Sequence, residues 1–327
     1  MTEQFFDDIF EGKLGKEEIK LRLEEIYQRG ETVDEIVAAV ISMRAHMISI
    51  KPKVEEDLLD IVGTGGDGKS TLNISTIAAF VAAGAGCYIA KHCNKGVSSK
   101  FGSVDLLEKL GLDVNLSPEK TRELIETIGI GFMYAPLYHP TMKHAAEARK
   151  ELGHRSIFNL LGPLTNPANA QTRLIGAYSF NTAKRLAHVS RILGIKRVIS
   201  VYSGEGLDEI SADYPTSFFD TTNPESCFLG DRGDIYLPEG YSTHKNKTSL
   251  RVESAKQSAE ICRKIIYNQD LSKDETMMKK AVILNAGFGI YLNKGLSSPY
   301  EGMGQARESI ESGAAADKLE QLIKATQ

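Results

Sequence analysis

The sequence predicts an α/β protein: a small N-terminal α-helical domain plus a larger α/β domain with a mainly parallel central sheet. From Asp57 onward, short apolar runs alternate with helical patterns, which is typical of parallel strands with helices on the faces of the sheet. The first fifty residues contain only helical patterns. We therefore expect a helical domain over 1–56, joined by part of 139–167, and an α/β domain over 57–327.

The N-terminal helices are predicted from the spacing of their apolar residues and from a capping signal. Apolar residues recur in a charged background over 19–27 and at helical spacing over 33–47. Thr32 and Glu35 have the form of a capping box, with a hydroxyl at the N-cap and a carboxylate three residues later. Because so small a domain hides little surface alone, we expect it to dock onto the rest of the chain or onto a second copy.

The remaining elements are predicted from apolar runs and their periodicity. Strand-like runs occupy 58–62, 86–90, 131–135, 174–178 and 198–202. Helical patterns intervene, for example at 104–110 and 182–193. Short strands and turns are expected over 216–248, and helices near 253–267, 276–293 and 302–324.

Composition and charge exclude several classes of protein. The chain has 327 residues, 42% of them hydrophobic and 25% charged, as in an ordinary soluble globular protein. A net charge of −4 argues against a protein that coats nucleic acid, and four scattered cysteines argue against a zinc ribbon or a disulfide scaffold. The N-terminus lacks the features of a signal peptide, and no run reads as membrane-spanning. We therefore expect a cytoplasmic protein with neither nucleic acid nor membrane as a partner.

The richest motif is GTGGDGKS at 63–70, between a predicted strand and a helix that begins near Asn73. Four glycines in the first six residues allow backbone N–H groups to approach an anion, and a helix N-terminus adds a favourable dipole. The motif also fits the loop of nucleotide triphosphatases. Asp67 argues against that interpretation, and so does the lack of a later apolar strand that ends in an Mg²⁺-binding aspartate.

Further polar residues follow the predicted strands. Asn73, Ser75 and Thr76 could cap a helix or bind phosphate. The segment 91–100, KHCNKGVSSK, is rich in lysine and short polar residues, which favours a second anion contact over a simple basic loop. Asp208 and Glu209 are adjacent carboxylates of the kind that Mg²⁺ shares with phosphate, although such pairs are also common on surfaces.

One arginine and one turn-rich stretch complete the set of candidates. Arg149 lies on a predicted helix that begins near His139, and it could clamp a carboxylate or form a surface ion pair. No HExxH zinc motif accompanies the histidines of this stretch. The segment 159–167, NLLGPLTNP, is typical of a rigid crossover or a hinge.

Together these motifs resemble the anthranilate phosphoribosyltransferase family, in chain order and over nearly the whole chain. The resemblance rests on five motifs: GTGGD at 63–67, NIST at 73–76, the KHxN loop continuing through 98–103, the stretch 139–167, and the pair at 208–209. It implies a nucleoside phosphorylase/phosphoribosyltransferase-like fold and a homodimer formed through the helical domain. It also implies Mg²⁺-dependent transfer of phosphoribosyl from phosphoribosyl pyrophosphate (PRPP) to anthranilate, in tryptophan biosynthesis.

The resemblance also implies roles for individual residues, although it assigns no certain catalytic group. Lys91, Asn94 and Arg149 would act through electrostatics and positioning, and Ser75, Asp208 and Glu209 would bind Mg²⁺. PRPP would be held by Gly63, Gly66, Asp67, Thr71, Asn73, Ser75, Thr76, Lys91, Ser99 and Ser103, and anthranilate by Gly63, His92, Asn94 and Arg149. Cys93 and Lys95 stand where the family usually has glycine and arginine.

Other functions stay open at this point. A phosphorylase of the same fold would carry Lys-His-Ser where this chain has residues 60–62, DIV. A non-catalytic nucleic-acid-binding relative is disfavoured by the acidic pair and by the net charge of −4. A transferase of the same fold with another acceptor and an ATP-hydrolysing loop are the remaining alternatives.

Overall fold

The computed structural model describes residues 3–65, 68–96, 101–222, 233–234 and 250–327. Its centre is a seven-stranded sheet with the order β3-β2-β1-β4-β5-β6-β7. The strands are β1 Leu59–Gly63, β2 Ile89–Cys93, β3 Ile130–Tyr134, β4 Thr172–Gly176, β5 Arg197–Ser203, β6 Thr216–Asp220 and β7 Gly233–Asp234. The first five strands pair in parallel and the last two pair antiparallel, so the predicted mainly parallel sheet is confirmed.

The helices surround this sheet in chain order. Those before β4 are α1 Glu3–Phe10, α2 Lys16–Arg29, α3 Val33–Ala45, α4 Ile74–Gly84, α5 Ser103–Leu110, α6 Pro118–Ile128, α7 Ala135–Tyr138, α8 Lys143–Leu152 and α9 Phe158–Leu161. Those after β4 are α10 Phe180–Ile192, α11 Ala255–Ile266, α12 Lys273–Lys294, α13 Pro299–Glu311 and α14 Ala314–Thr326. Short 3₁₀ turns occupy Pro140–Met142 and Gly162–Leu164.

The two faces of the sheet carry separate cores, because successive side chains of a strand point to opposite faces. On β1, Leu59 and Ile61 pack with helices α4, α5 and α11–α14. Val62 packs on the other face with the N-terminal helices and with α8–α10. The second face also carries Asp60 and Arg173, which are register partners on β1 and β4 and are both fully buried.

The N-terminal helices pack as one group with the segment before β4. The capping box of α3 is present, since the Thr32 side chain accepts from the Glu35 backbone N–H and the Glu35 carboxylate accepts from the Thr32 backbone N–H. Phe6 and Phe10 of α1 lie edge-on to Phe158 of α9, at 6.4 and 6.2 Å between ring centroids. A division of the chain at residue 56 stays a prediction.

Several predicted boundaries were wrong; the strand predicted over 174–178, for example, is β4 at Thr172–Gly176. Strand β2 begins at Ile89 and continues through Lys91 and His92, because its ladder with β3 extends to the pair Cys93–Tyr134 and buries these polar side chains. The last predicted helix is two helices, which Gly313 separates in a left-handed conformation (φ 85°). Of the region predicted to form strands over 216–248, only β6 and β7 lie among the described residues.

None of the helices in the described part of the chain has the combination of length and apolar character that crossing a bilayer requires.

Candidate active site

A cavity of about 300 Å³ opens at the carboxyl ends of β1 and β2. Its walls come from the loop after β1, the first turn of α4, the loop after β2, helices α8 and α9, and the loop after β5. Ligands of open α/β sheets bind at this edge, where the connections diverge.

The glycine loop places backbone N–H groups at one end of the cavity. Gly65 N–H donates to Oδ2 of Asp208 at 2.7 Å, and Thr64 N–H donates to the Gly176 carbonyl at 2.9 Å. A Cβ at position 63 would lie 2.4 Å from Asp208 Oδ2, and one at position 176 would lie 1.6 Å from the Asp208 carbonyl oxygen. Glycine at both positions therefore leaves room for the loop after β5 to contact the glycine loop.

The triphosphatase interpretation of this loop fails on helix placement. In that motif the Lys-Ser/Thr pair leads directly into the helix. Here Ser70 has a positive φ of 52°, Thr71 bridges to Arg251, and α4 begins only at Ile74.

The first turn of α4 presents further donors to the cavity. Ser75 N–H donates to Oε1 of Glu209 at 3.1 Å, and Lys91 Nζ donates to Ser75 Oγ at 3.3 Å. Asn73 does not cap the helix with its side chain; its Oδ1 accepts from Ser258 Oγ at 2.9 Å. A helix N-terminus with lysine and hydroxyl groups beside it is a site for an anion.

Asp208 and Glu209 face these donors across the cavity. Burial raises the pKa of Glu209 to about 8, and repulsion from the neighbouring Asp208 carboxylate is the second-largest cause of this shift. A divalent cation would offset this repulsion, and carboxylates with a serine hydroxyl form a suitable oxygen donor set for Mg²⁺. Among the residues described, no group of three or more His, Cys, Asp or Glu side chains could hold a metal ion alone. A cation at this pair would therefore share its remaining ligands with a bound phosphate.

Lys91 lies on β2 and lines the cavity beside Ser75. Its side chain is buried, and Nζ also donates to the carbonyl of Ile61. Burial lowers the pKa of Lys91, while the nearby Asp60 and Glu209 carboxylates oppose that shift.

Asn94 and Ser103 hold the loop after β2 at the mouth of the cavity. Asn94 N–H donates to Ser103 Oγ at 3.2 Å, and Ser103 Oγ donates to the Asn94 carbonyl at 3.1 Å. Lys95 pairs instead with Glu108, at 3.1 Å. Cys93 lines the cavity wall as a buried thiol, whose pKa burial raises to about 12.

Two buried imidazoles lie close together, His92 on β2 and His139 after α7. The rings of His92 and His139 are 5.0 Å apart, and burial lowers their pKa values to about 4 and about 3. Both rings are therefore neutral at pH 7. His92 Nδ1 lies 3.0 Å from the Gly162 carbonyl, and since a carbonyl only accepts, this nitrogen carries the proton.

Arg149 provides an unpaired cation on the cavity wall that α8 and α9 form. Its guanidinium lies 5.3 Å from the centroid of the Phe158 ring, and burial lowers its pKa. None of the residues that the structure describes forms an ion pair or a hydrogen bond with it. A partly desolvated guanidinium on a cavity wall is a bidentate site for a carboxylate.

Comparison with known proteins identifies relatives over almost the whole chain. The family model described as "Glycosyl transferase family, a/b domain" matches residues 55–316. The anthranilate phosphoribosyltransferase of Acetivibrio thermocellus is 41% identical over 321 residues, which cover 98% of this chain and 90% of that protein. The chain belongs to the anthranilate phosphoribosyltransferase family.

Solved structures of anthranilate phosphoribosyltransferases share the fold. The enzyme of Thermus thermophilus matches with a TM-score of 0.89 at 35% identity, over 99% of this chain and 94% of that one. The Saccharomyces cerevisiae enzyme in complex with PRPP and Mg matches with a TM-score of 0.79 at 29% identity, over 90% of this chain and 80% of that one. The predicted fold class is therefore confirmed.

Most residues that the sequence assigned to an anthranilate phosphoribosyltransferase site lie together around the cavity. They are Gly63, Thr71, Asn73, Ser75, Thr76, Lys91, His92, Asn94, Ser103, Arg149, Asp208 and Glu209. Gly66, Asp67 and Ser99 lie outside the described residues. The role of each residue stays a prediction.

Sequence reasoning missed one wall of the cavity. Phe158, Asn159, Gly162 and Pro163 line it beside Arg149. The turn-rich segment 159–167 predicted only a crossover or hinge, and the resemblance included the stretch 139–167 without assigning these four residues to a ligand.

Proposed function

We propose that this chain transfers the phosphoribosyl group of PRPP to the amine of anthranilate. The products are N-(5-phosphoribosyl)anthranilate and pyrophosphate, and the reaction belongs to tryptophan biosynthesis. The observation that carries the proposal is one cavity whose lining offers both a phosphate site and a carboxylate site. The phosphate end is the part lined by the glycine loop, Lys91, Asp208 and Glu209, and the acceptor end is the part lined by Phe158 and the unpaired guanidinium of Arg149.

The phosphate end suits the departure of pyrophosphate. As the bond between ribose C1 and pyrophosphate breaks, negative charge develops on the leaving oxygen. The Lys91 ammonium beside Ser75 would stabilise that charge. The N–H groups of Gly65 and Ser75 hold the Asp208 and Glu209 carboxylates in place. Mg²⁺, held by Asp208, Glu209 and Ser75, would supply further neutralisation of the diphosphate.

The acceptor end suits an aromatic amine that bears a carboxylate. Arg149 would bind the carboxylate, while the Phe158 ring provides an apolar wall. The new bond joins the amine nitrogen to ribose C1, and the nitrogen then releases one proton. Because an aryl amine is already neutral at pH 7, no strong base is required, and positioning supplies much of the rate acceleration.

We also propose that two copies associate through the N-terminal helices. Of the six large apolar side chains most exposed in the described part of the chain, four lie in the first 48 residues: Leu21, Tyr27, Ile41 and Ile48. Exposed apolar residues concentrated in one part of the chain favour an interaction surface there, and twofold dimers are the commonest homo-oligomers. Sedimentation should give twice the mass of 35.8 kDa. The charged variant Ile41→Glu should give a single chain, whereas a single-chain wild type would contradict the proposal. A cytoplasmic location stays a prediction.

The activity is tested by following anthranilate fluorescence with PRPP and Mg²⁺ present, and with each omitted in turn. The chain contains no tryptophan, so the protein background is low. We expect fluorescence to fall only when both are present, with one pyrophosphate released per anthranilate consumed. No loss of fluorescence in the complete mixture would contradict the proposal. If PRPP bound nonetheless, a screen of other amines would identify the acceptor.

A further inference from the structure

A short turn between α9 and β4 is held by three side chains from three separate elements. The turn is Gly162–Leu164, and each of its three successive carbonyls accepts a hydrogen bond from a different side chain. His92 Nδ1 donates to the first at 3.0 Å, Arg173 Nη1 donates to the second at 2.8 Å, and Arg44 Nη2 donates to the third at 2.8 Å. The turn is therefore fixed from strand β2, strand β4 and helix α3 at once.

Arg173 makes the most demanding of these contacts. It is fully buried on β4, and its Nε donates to the Ala170 carbonyl at 2.7 Å while Nη1 holds Pro163. One planar guanidinium thus joins the two ends of the segment 163–170. Lysine has no second donor at a fixed angle, so it cannot make both contacts with this geometry.

The interior of the same segment is held by Asn166. Its Oδ1 accepts from the backbone N–H groups of Ala168 and Ala170, and its Nδ2 donates to Asp60 Oδ2 at 2.7 Å and to the Ala90 carbonyl at 2.8 Å. Asp60 is the register partner of Arg173 on the adjacent strand. Asp60 Oδ1 and Arg173 Nη2 are buried and have no hydrogen-bond partner among the described residues. Because unsatisfied buried polar atoms cost free energy, this arrangement calls for an explanation other than stability.

The turn that these contacts fix is part of the cavity wall. Gly162 and Pro163 line the cavity, as do Phe158 and Arg149. A shift of about 1 Å in a positioning element can lower a rate by about 100-fold. We propose that Arg173 is a positioning residue that sets the width of the acceptor end of the cavity. This inference rests on the proposed function, since it assumes that the aromatic acceptor binds between the turn and Arg149.

The test compares Arg173→Lys, which keeps the charge, with Arg173→Met, which removes it. For both variants we expect the KM for anthranilate to rise by about 10- to 100-fold, with the KM for PRPP unchanged. The control is Arg197→Lys on β5, where Arg197 also donates to a carbonyl, that of Leu292 at 3.2 Å, but does not line the cavity. The control should leave both KM values unchanged. Equal increases in both KM values, or no increase in either, would overturn the proposal.

A second measurement does not depend on activity. Hydrogen exchange of the backbone N–H groups of 165–170 should be faster in Arg173→Lys than in the wild type, with the glycine loop unaffected. Unchanged exchange would overturn the inference even if the enzyme were fully active. A wild type that fails to consume anthranilate, together with faster exchange in the variant, would instead contradict the proposed function and leave the role of Arg173 in holding the turn intact. If Arg173→Met does not fold, Arg44→Met acts on the neighbouring carbonyl and should raise the same KM.

Discussion

Replacing Arg149 by alanine should raise the KM for anthranilate by about 100-fold without lowering the stability of the fold. The guanidinium has no ion-pair partner among the described residues, so its removal leaves no buried carboxylate unpaired. Each hydrogen bond to a charged group contributes roughly 1.5–3 kcal/mol, and a guanidinium can give a carboxylate two of them. A total of about 3 kcal/mol corresponds to a factor of about 100 in affinity.

The stability change should be small for a separate reason. The alanine variant loses one contact between a cation and the Phe158 ring, worth about 0.5–1 kcal/mol, and it also removes the unfavourable desolvation of the charge. Arg149→Lys keeps the charge without the bidentate geometry and should fall between wild type and alanine.

Steady-state kinetics and urea unfolding together test this reasoning. The matched control is Arg155→Ala, because Arg155 lies 4.1 Å over the Tyr178 ring in a comparable contact away from the cavity. It should leave the KM for anthranilate unchanged. A rise in the KM for PRPP instead of anthranilate in Arg149→Ala, or a loss of several kcal/mol in the free energy of unfolding, would refute the assignment.

Three further predictions concern the carboxylate pair Asp208 and Glu209, the two buried imidazoles, and Gly176 with Gly304. Glu209→Gln should remove most of the difference between PRPP affinities measured calorimetrically with Mg²⁺ and with a chelator; a difference equal to that of the wild type would contradict a role in Mg²⁺ binding. Acid should destabilise the fold as the pH falls from about 6.5 towards 4, because unfolding lets His92 and His139, held neutral by burial, take up protons. At pH 5 each imidazole should lower the free energy of unfolding by about 2 kcal/mol, and His139→Gln should flatten the pH profile of urea unfolding. Gly176→Ala should destabilise the fold by about 3 kcal/mol, since its Cβ would lie 1.6 Å from a carbonyl oxygen, whereas thermal melts of Gly304→Ala, with open space around it, should show no loss.

The sequence was most informative where chemistry is concentrated in a few consecutive residues. The glycine loop, the start of α4 and the pair at 208–209 were all recognisable, because each concentrates glycine or polar residues in a few consecutive positions after a predicted strand or at the start of a predicted helix. The strand boundary at β2 was wrong because pairing with β3 draws Lys91 and His92 into the ladder against their polar character. Local periodicity cannot report such a tertiary effect.

The wall beside Arg149 could not be predicted for a different reason. Its position depends on Arg173 and Arg44, which are distant in sequence from the turn at 162–164 and lie on elements with unremarkable patterns. Because arginine is mostly exposed in proteins, an arginine within a strand is expected to be exposed unless the segment that covers it is known. Only the folded chain shows that a buried guanidinium spans the Pro163 and Ala170 carbonyls.

The central place of β1 in the sheet has a consequence for synthesis of the chain. Its neighbour β4 begins at Thr172, roughly 100 residues after β1 ends. Because the ribosome adds about 5–20 residues per second, one edge of β1 stays unpaired for several seconds until β4 has been synthesised. The carboxylates that contact the Gly65 and Ser75 amides are 143 and 134 residues further along the chain, so they emerge later still. During that interval the nascent chain exposes an apolar, unpaired strand edge. We therefore expect its yield in a cell-free system to depend on chaperones that shield such edges until the second half of the sheet has been made.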